Sequence, residues 1–226
     1  LPDLPRLLLI ADGFCDPAIG DRILELVASG LIPWIQLRDH RVGSDVFGET
    51  AARVVDAIRG RESGSGRVDR TLISLNGHAE LARELGVGVH VGFRGPAPED
   101  ARAILGRAGL VGYSAHEVSD VSANNLMNVD YFTISPIYEP ISKPGMSAVG
   151  LGLLGRFAAA CPKPVFALGG VTPDRIAGCI QSGAYGAAVI GGILEAGDPV
   201  SAVRAYLDAT GRDTVPTKAS RQTDGS

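Results

Sequence analysis

A chain of 226 residues fits one large domain or two small ones, and 45% hydrophobic side chains supply a sizeable core. A formal net charge of −4 gives no electrostatic reason to expect nucleic acid or an anionic membrane as partner, and no apolar run reaches membrane-spanning length. Three cysteines (Cys15, Cys161, Cys179) lack metal-ligand spacing and read as reduced structural thiols of a cytoplasmic protein. The start, LPDLPRLLLIADG, has neither basic leader nor cleavage site, so no signal peptide is predicted.

Eight short runs, most of them rich in Val, Ile and Leu, follow one another at fairly even spacing. They are RLLLIAD (6–12), PWIQLRD (33–39), TLISLN (71–76), GVHVG (88–92), LVGYSAH (110–116), DYFTIS (130–135), PVFALGG (164–170) and GAAVIGG (186–192). Runs of this kind suit strands buried on both faces. Helical spacing appears between them. In SDVFGETAARVVDAIRG (44–60), Phe47, Ala51, Val54, Val55 and Ile58 share a face, with Ser44 as N-cap. The polar stretch RESGSGRVDR (61–70) reads as a surface loop. GHAELARELG (77–86) is a second helix closed by Gly86. PAPEDARAILGRAG (96–109) and TPDRIAGCIQSG (172–183) place Pro near the first turn and Gly after the last. Segment 116–128 is an Asn-rich helix, and 150–160 a short one.

Strands alternating with helices imply a parallel sheet. Eight units in this length predict an α/β protein with one closed (β/α)8 TIM barrel over residues 1–210. An open doubly wound sheet has the same periodicity and stays as the alternative. The tail, 211–226, is almost without apolar residues and is predicted to be disordered.

The second strand turns polar as it ends. Gln36, Arg38 and His40 alternate with Ile35, Leu37 and Asp39, so the first three share a face. Facing the C-terminal mouth of a barrel, they would meet a ligand. Alternatively, Arg38 forms an internal ion pair and His40 is a surface loop residue. Other strand ends carry Ser74 and Asn76, His90, and Ser114 with His116. The sixth strand runs into SPIYEPISKPGMSAVG (135–150), a long loop holding Lys143. The last two strands end in Gly169–Gly170 and Gly191–Gly192. Glycine lets backbone N–H groups approach an anion, and loops after strands seven and eight of this fold often hold phosphate.

These pieces together resemble the thiamine phosphate synthase/TenI family. The resemblance is carried by IQLRDH, LISLNGHAELA, GVHVG, GYSAH, DYFTISPIYEPISK, PVFALGGVTPDRI and SGAYGAAVIGGI, in that order. It implies a barrel, usually dimeric, that works in thiamine biosynthesis on small phosphate ligands. In the synthases a pyrimidine pyrophosphate loses pyrophosphate with help from Mg²⁺ and basic side chains, and the nitrogen of a thiazole phosphate then attacks. The resemblance assigns Gln36, Asn76, Ser114 and, with the lid, Ser142 to substrate binding. It gives Gly169, Gly170, Ile190 and Gly191 to the thiazole phosphate. Arg38 and Lys143 fall at positions of basic catalytic groups.

The departures are as informative. The synthase pattern Gln-x-Arg-x-Lys ends here in His40, retained as a substrate-binding candidate. The two Mg²⁺-binding acids are replaced by Gly77 and by VGFRGP, which offers Arg94 and no carboxylate. Mg²⁺ wants hard oxygen ligands. The resemblance therefore implies no metal ligand in the chain and no tightly bound cofactor, with Mg²⁺ arriving only on a pyrophosphate substrate. TenI members also lack the acids, and some are thiazole tautomerases with a His after the sixth strand. Here that position is Pro136. A tautomerase reading then needs another base, with His116 first, then His40 and His90. A third reading is a non-catalytic thiazole- or thiamine-phosphate-binding protein. All three imply a cytoplasmic protein, a homodimer by family habit.

Overall fold

The computed structural model describes residues 4–65, 71–92, 95–139 and 147–211. Arg94, Ser142, Lys143 and nearly all of the predicted tail lie outside the described residues. Eight parallel strands close into a barrel in chain order: β1 (Leu7–Asp12), β2 (Trp34–Arg38), β3 (Leu72–Asn76), β4 (Gly88–Val91), β5 (Val111–Ala115), β6 (Tyr131–Ile134), β7 (Val165–Leu168) and β8 (Gly186–Val189). β8 pairs back onto β1, Leu7 opposite Ala187, which excludes the open doubly wound sheet.

The helices are α1 (Pro17–Ser29), α2 (Ser44–Ser65), α3 (Ala79–Leu85), α4 (Pro98–Leu105), α5 (Ala123–Asn128), α6 (Gly150–Ala160), α7 (Pro173–Gln181), α8 (Gly191–Leu194) and α9 (Pro199–Ala209). α1 and α9 have no counterpart among the segments predicted above, although both carry strong start signals. Asp16 caps α1 by accepting from the Ala18 N–H, and Asp198 caps α9 by accepting from Ser201. Residues 61–65 of the loop predicted over 61–70 are helical instead, and 66–70 lie outside the described residues. α2 continues through Ser65, and the Glu62 carboxylate accepts from the Thr71 N–H at 2.6 Å, tying the helix end to the start of β3. Ser44 is inside the helix rather than capping it, since the Phe47 N–H already bonds the Gly43 carbonyl.

Strand alternation sorts the apolar residues into two cores. Ile35, Leu37, Leu75, Val89 and Phe132 point outward and pack under the helices. Leu8, Ile10, Trp34, Tyr131, Phe166 and Ala188 point inward and fill the barrel. Trp34 meets Tyr131 and Phe166 edge-on, with ring centroids 4.6 and 5.4 Å away. Gly112 makes this layer possible, because a Cβ there would lie 2.1 Å from the Tyr131 ring. The filled interior leaves only the ends of the barrel for chemistry.

Candidate active site at the barrel mouth

Asp12 ends β1 and Arg38 ends β2, and the two are register partners. The Arg38 Nε–H donates to Asp12 Oδ1 at 2.8 Å and Nη2–H to Oδ2 at 2.9 Å. This bidentate bond, together with the nearby guanidinium charge, holds the Asp12 carboxyl below the usual carboxylate range despite partial burial. The ion-pair reading of Arg38 is thus correct, and the pair stands at the mouth with 25% of the Arg38 side chain exposed. Asp12 was not among the predicted site residues. Its signal was its parity with Leu8 and Ile10, which places it on the inward face.

The shared polar face is shorter than predicted. β2 stops at Arg38 because Asp39 turns the chain: its carboxylate accepts from the Arg41 N–H and pairs with the Arg41 guanidinium at 3.0 Å. His40 lies past this turn, exposed and outside the strand's alternation. It remains near Asp12, whose carboxyl it helps to hold down, and near His78. His78 precedes α3 and stacks on Phe47 with centroids 3.9 Å apart. Burial and the neighbouring His40 lower its pKa.

Gln36 faces inward at 2% exposure, and its Oε1 has no hydrogen-bond partner. A buried acceptor in this state costs about 1–3 kcal/mol, and a donor on a ligand would satisfy it. Asn76 is half-buried at the tip of β3, beside His90 in register. Gly77 follows with φ +79°, a conformation that resists most side chains.

His90 is not available as a base. It is 2% exposed, and both ring nitrogens are engaged, Nδ1 with the Tyr131 hydroxyl at 3.0 Å and Nε2 with Ser114 Oγ at 2.8 Å. Burial, then the Arg38 charge, pushes its pKa down to about 3. Burial pushes the Tyr131 phenol far up. Both groups are therefore neutral near pH 7. Ser114 is half-buried on the inward side of β5, with Thr133 on β6 donating to it at 3.4 Å. His116 lies just past β5, exposed, its backbone N–H bonded to Asp120 Oδ2 at 2.7 Å.

The two glycine loops meet. Gly169, Gly170, Ile190, Gly191 and Gly192 line one cavity of about 290 Å³. Arg38 is not in its lining but ends a strand on the same rim. Packing imposes glycine at 169 and 170 independently of any ligand. Both have positive φ, +89° and +62°. A Cβ on Gly169 would lie 2.7 Å from Pro136 Cα, and one on Gly170 2.8 Å from the Glu139 carbonyl. The chain after β6 is laced to this turn by Ile137 N–H to Leu168 O and Tyr138 N–H to Gly169 O. Arg175 braces it from α7, donating to the Gly170 carbonyl at 2.8 Å and covering the Tyr138 ring. Glu195 also faces the cavity, and its carboxylate lies 2.7 Å from where a Cβ on Gly191 would be. Residue type alone gave no signal for Glu195.

Among the described residues no group of three or more His, Cys, Asp or Glu side chains could hold a metal ion. The nearest mouth carboxylate, Asp12, is committed to Arg38. The donor set does not fit a protein-anchored Mg²⁺. Likewise, no described helix is long and apolar enough to cross a membrane.

A closed eight-stranded parallel barrel with helices between its strands, glycine-lined backbone and a guanidinium at one rim, defines the chain as a TIM-barrel protein with a polar mouth. Comparison with known proteins narrows this. The family described as thiamine monophosphate synthase (TMP-TENI) matches residues 7–193. The thiamine-phosphate synthase of Mycobacterium marinum is 37% identical over 200 residues, covering 86% of this chain and 90% of that protein. That of Thermobifida fusca is 34% identical over 200 residues, covering 87% and 88%. Among solved structures, thiamine phosphate pyrophosphorylase from Pyrococcus furiosus superposes with a TM-score of 0.76 at 19% identity, covering 92% of this chain and 96% of that one. The chain belongs to the thiamine monophosphate synthase family.

Proposed function

We propose that the chain binds a thiazole phosphate in the β7–β8 cavity and a pyrimidine pyrophosphate beside Arg38, and joins them as a thiamine phosphate synthase. The observation that carries this reading is the convergence of both glycine loops on one cavity at the rim that also bears Arg38. The names of the relatives support the synthase over the tautomerase.

The chemistry needs charge neutralisation on the leaving group. As the carbon–oxygen bond to pyrophosphate breaks, negative charge builds on the departing oxygens. Arg38 has N–H groups beyond the two given to Asp12 to receive it. Lys143, Arg94 and Ser142 are proposed to add to this. The buried Gln36 acceptor and the Asn76 amide suit the pyrimidine's polar edge. The thiazole nitrogen then forms the carbon–nitrogen bond. Any Mg²⁺ would enter with the pyrophosphate and carries no step here. By family habit we also propose a cytoplasmic homodimer.

Purified protein given thiazole phosphate, with and without pyrimidine pyrophosphate and Mg²⁺, tests the reading. Pyrophosphate release dependent on both substrates supports it. Isomerisation of a carboxythiazole phosphate without release, with His116 or His40 as base, replaces it by the tautomerase. Binding with neither replaces it by a regulatory role.

A further inference from the structure

Three polar side chains cross the barrel interior in one hydrogen-bonded line that the proposed chemistry does not use. Tyr131 of β6, His90 of β4 and Ser114 of β5 all point inward. Tyr131 bonds His90 Nδ1, and His90 Nε2 bonds Ser114 Oγ. Tyr131 is fully buried and His90 is 2% exposed.

One end of this line has a fixed sense. Among the described residues the fully buried Tyr131 hydroxyl has His90 Nδ1 as its hydrogen-bond partner. Were the phenol to accept there, its own buried proton would be left without an acceptor, which is costly. Tyr131 therefore donates to Nδ1. A neutral imidazole that accepts at Nδ1 must donate at Nε2. Ser114 Oγ accepts from His90 and also from Thr133. With two donors already on its oxygen, Ser114 has only its proton left to offer.

We propose that Tyr131 and His90 form a polarised hydrogen-bond chain that fixes the Ser114 hydroxyl as a donor to a ligand oxygen in the mouth, both acting as positioning residues. The sense of the chain stands on geometry alone; the identity of the acceptor, a phosphoryl oxygen, rests on the reading proposed above.

The first measurement is the tautomer of His90 in the full-length protein labelled with ¹⁵N-histidine, the resonance assigned with His90→Gln. The expected result is one neutral tautomer, protonated on Nε2, between about pH 5 and pH 8. A proton on Nδ1, or an imidazolium in that range, overturns the proposal. Tyr131→Phe removes the donor to Nδ1 and should bring a second tautomer into view; an unchanged spectrum also overturns it. The second measurement is titration with inorganic pyrophosphate. Ser114→Ala and Tyr131→Phe should each weaken binding about fivefold, the scale of one hydrogen bond. His90→Gln keeps an N–H near the place of Nε2 and should lose less than His90→Leu; equal losses contradict the positioning role. Failure of the unaltered protein to bind pyrophosphate, with Nε2 still protonated, supports the chain and defeats the phosphate reading instead.

Discussion

Arg38 and Asp12 face each other across neighbouring strand ends, joined by two hydrogen bonds of 2.8 and 2.9 Å. The pair holds the guanidinium at the mouth while sharing its charge with a carboxylate. A ligand bound through the remaining N–H groups must therefore share the Arg38 charge with Asp12, and a more highly charged group keeps more of that attraction than a single negative charge. Arg38→Ala should weaken inorganic pyrophosphate more than inorganic phosphate in calorimetric titrations. Equal losses would remove Arg38 from its role. Asp12→Asn should do the opposite and tighten pyrophosphate by about two- to fivefold, a modest gain because the pair is partly exposed.

Gly170 is constrained by packing before any ligand binds. Gly170→Ala must adopt φ near +62° and push against Tyr138 and Glu139. The cost should be at least about 1–3 kcal/mol, lowering the melting midpoint by about 2–4 °C per kcal/mol. Thermal unfolding checks this. Gly170→Asp would lose ligand through the same distortion as well as through charge, so it is a poor probe of the anion site.

Glu195 is the better probe. Its carboxylate faces the glycine-lined cavity from an exposed position, where it would repel a phosphate. Glu195→Gln should tighten thiazole phosphate about threefold at low ionic strength, with the difference shrinking as salt screens the charge. An unchanged affinity at low salt would place the phosphate elsewhere.

Acid should destabilise the fold through His90. Its folded pKa, about 3, lies below the ordinary value of 6.5, so the unfolded chain takes up the proton first. Stability is then complete above about pH 6.5 and falls as pH drops towards 3, by about 1.4 kcal/mol per unit. His78 is shifted in the same direction. Asp12, with its lowered pKa, contributes stability above the usual carboxylate range that is lost at still lower pH. Denaturant midpoints measured across this range should flatten in His90→Gln.

The barrel was legible because each strand is a short apolar run bounded by turn residues, and the number of runs fits one ring. The inward placement of Gln36 was legible from strand alternation, and the positions of Ser114 and the glycine pairs from their places at strand ends. What sequence could not give was pairing across strands. Asp12 and Arg38 are 26 residues apart, and nothing in either neighbourhood names the other. His90 looked like a candidate base because a strand-end imidazole carries no mark of burial; its partners come from β5 and β6. His40 was misplaced because the Asp39 turn, a local hydrogen bond, ends the alternation one residue earlier. The glycines at 169 and 170 fit an anion by residue type, but the contact with the chain after β6 shows a second, structural demand on the same atoms.

The most direct test follows the backbone amides of Gly169, Gly170, Gly191 and Gly192 by ¹⁵N NMR while thiazole phosphate is added. The account predicts that all four shift together along one binding curve, since they line one cavity. Shifts confined to one loop, or to the opposite end of the barrel, would contradict it.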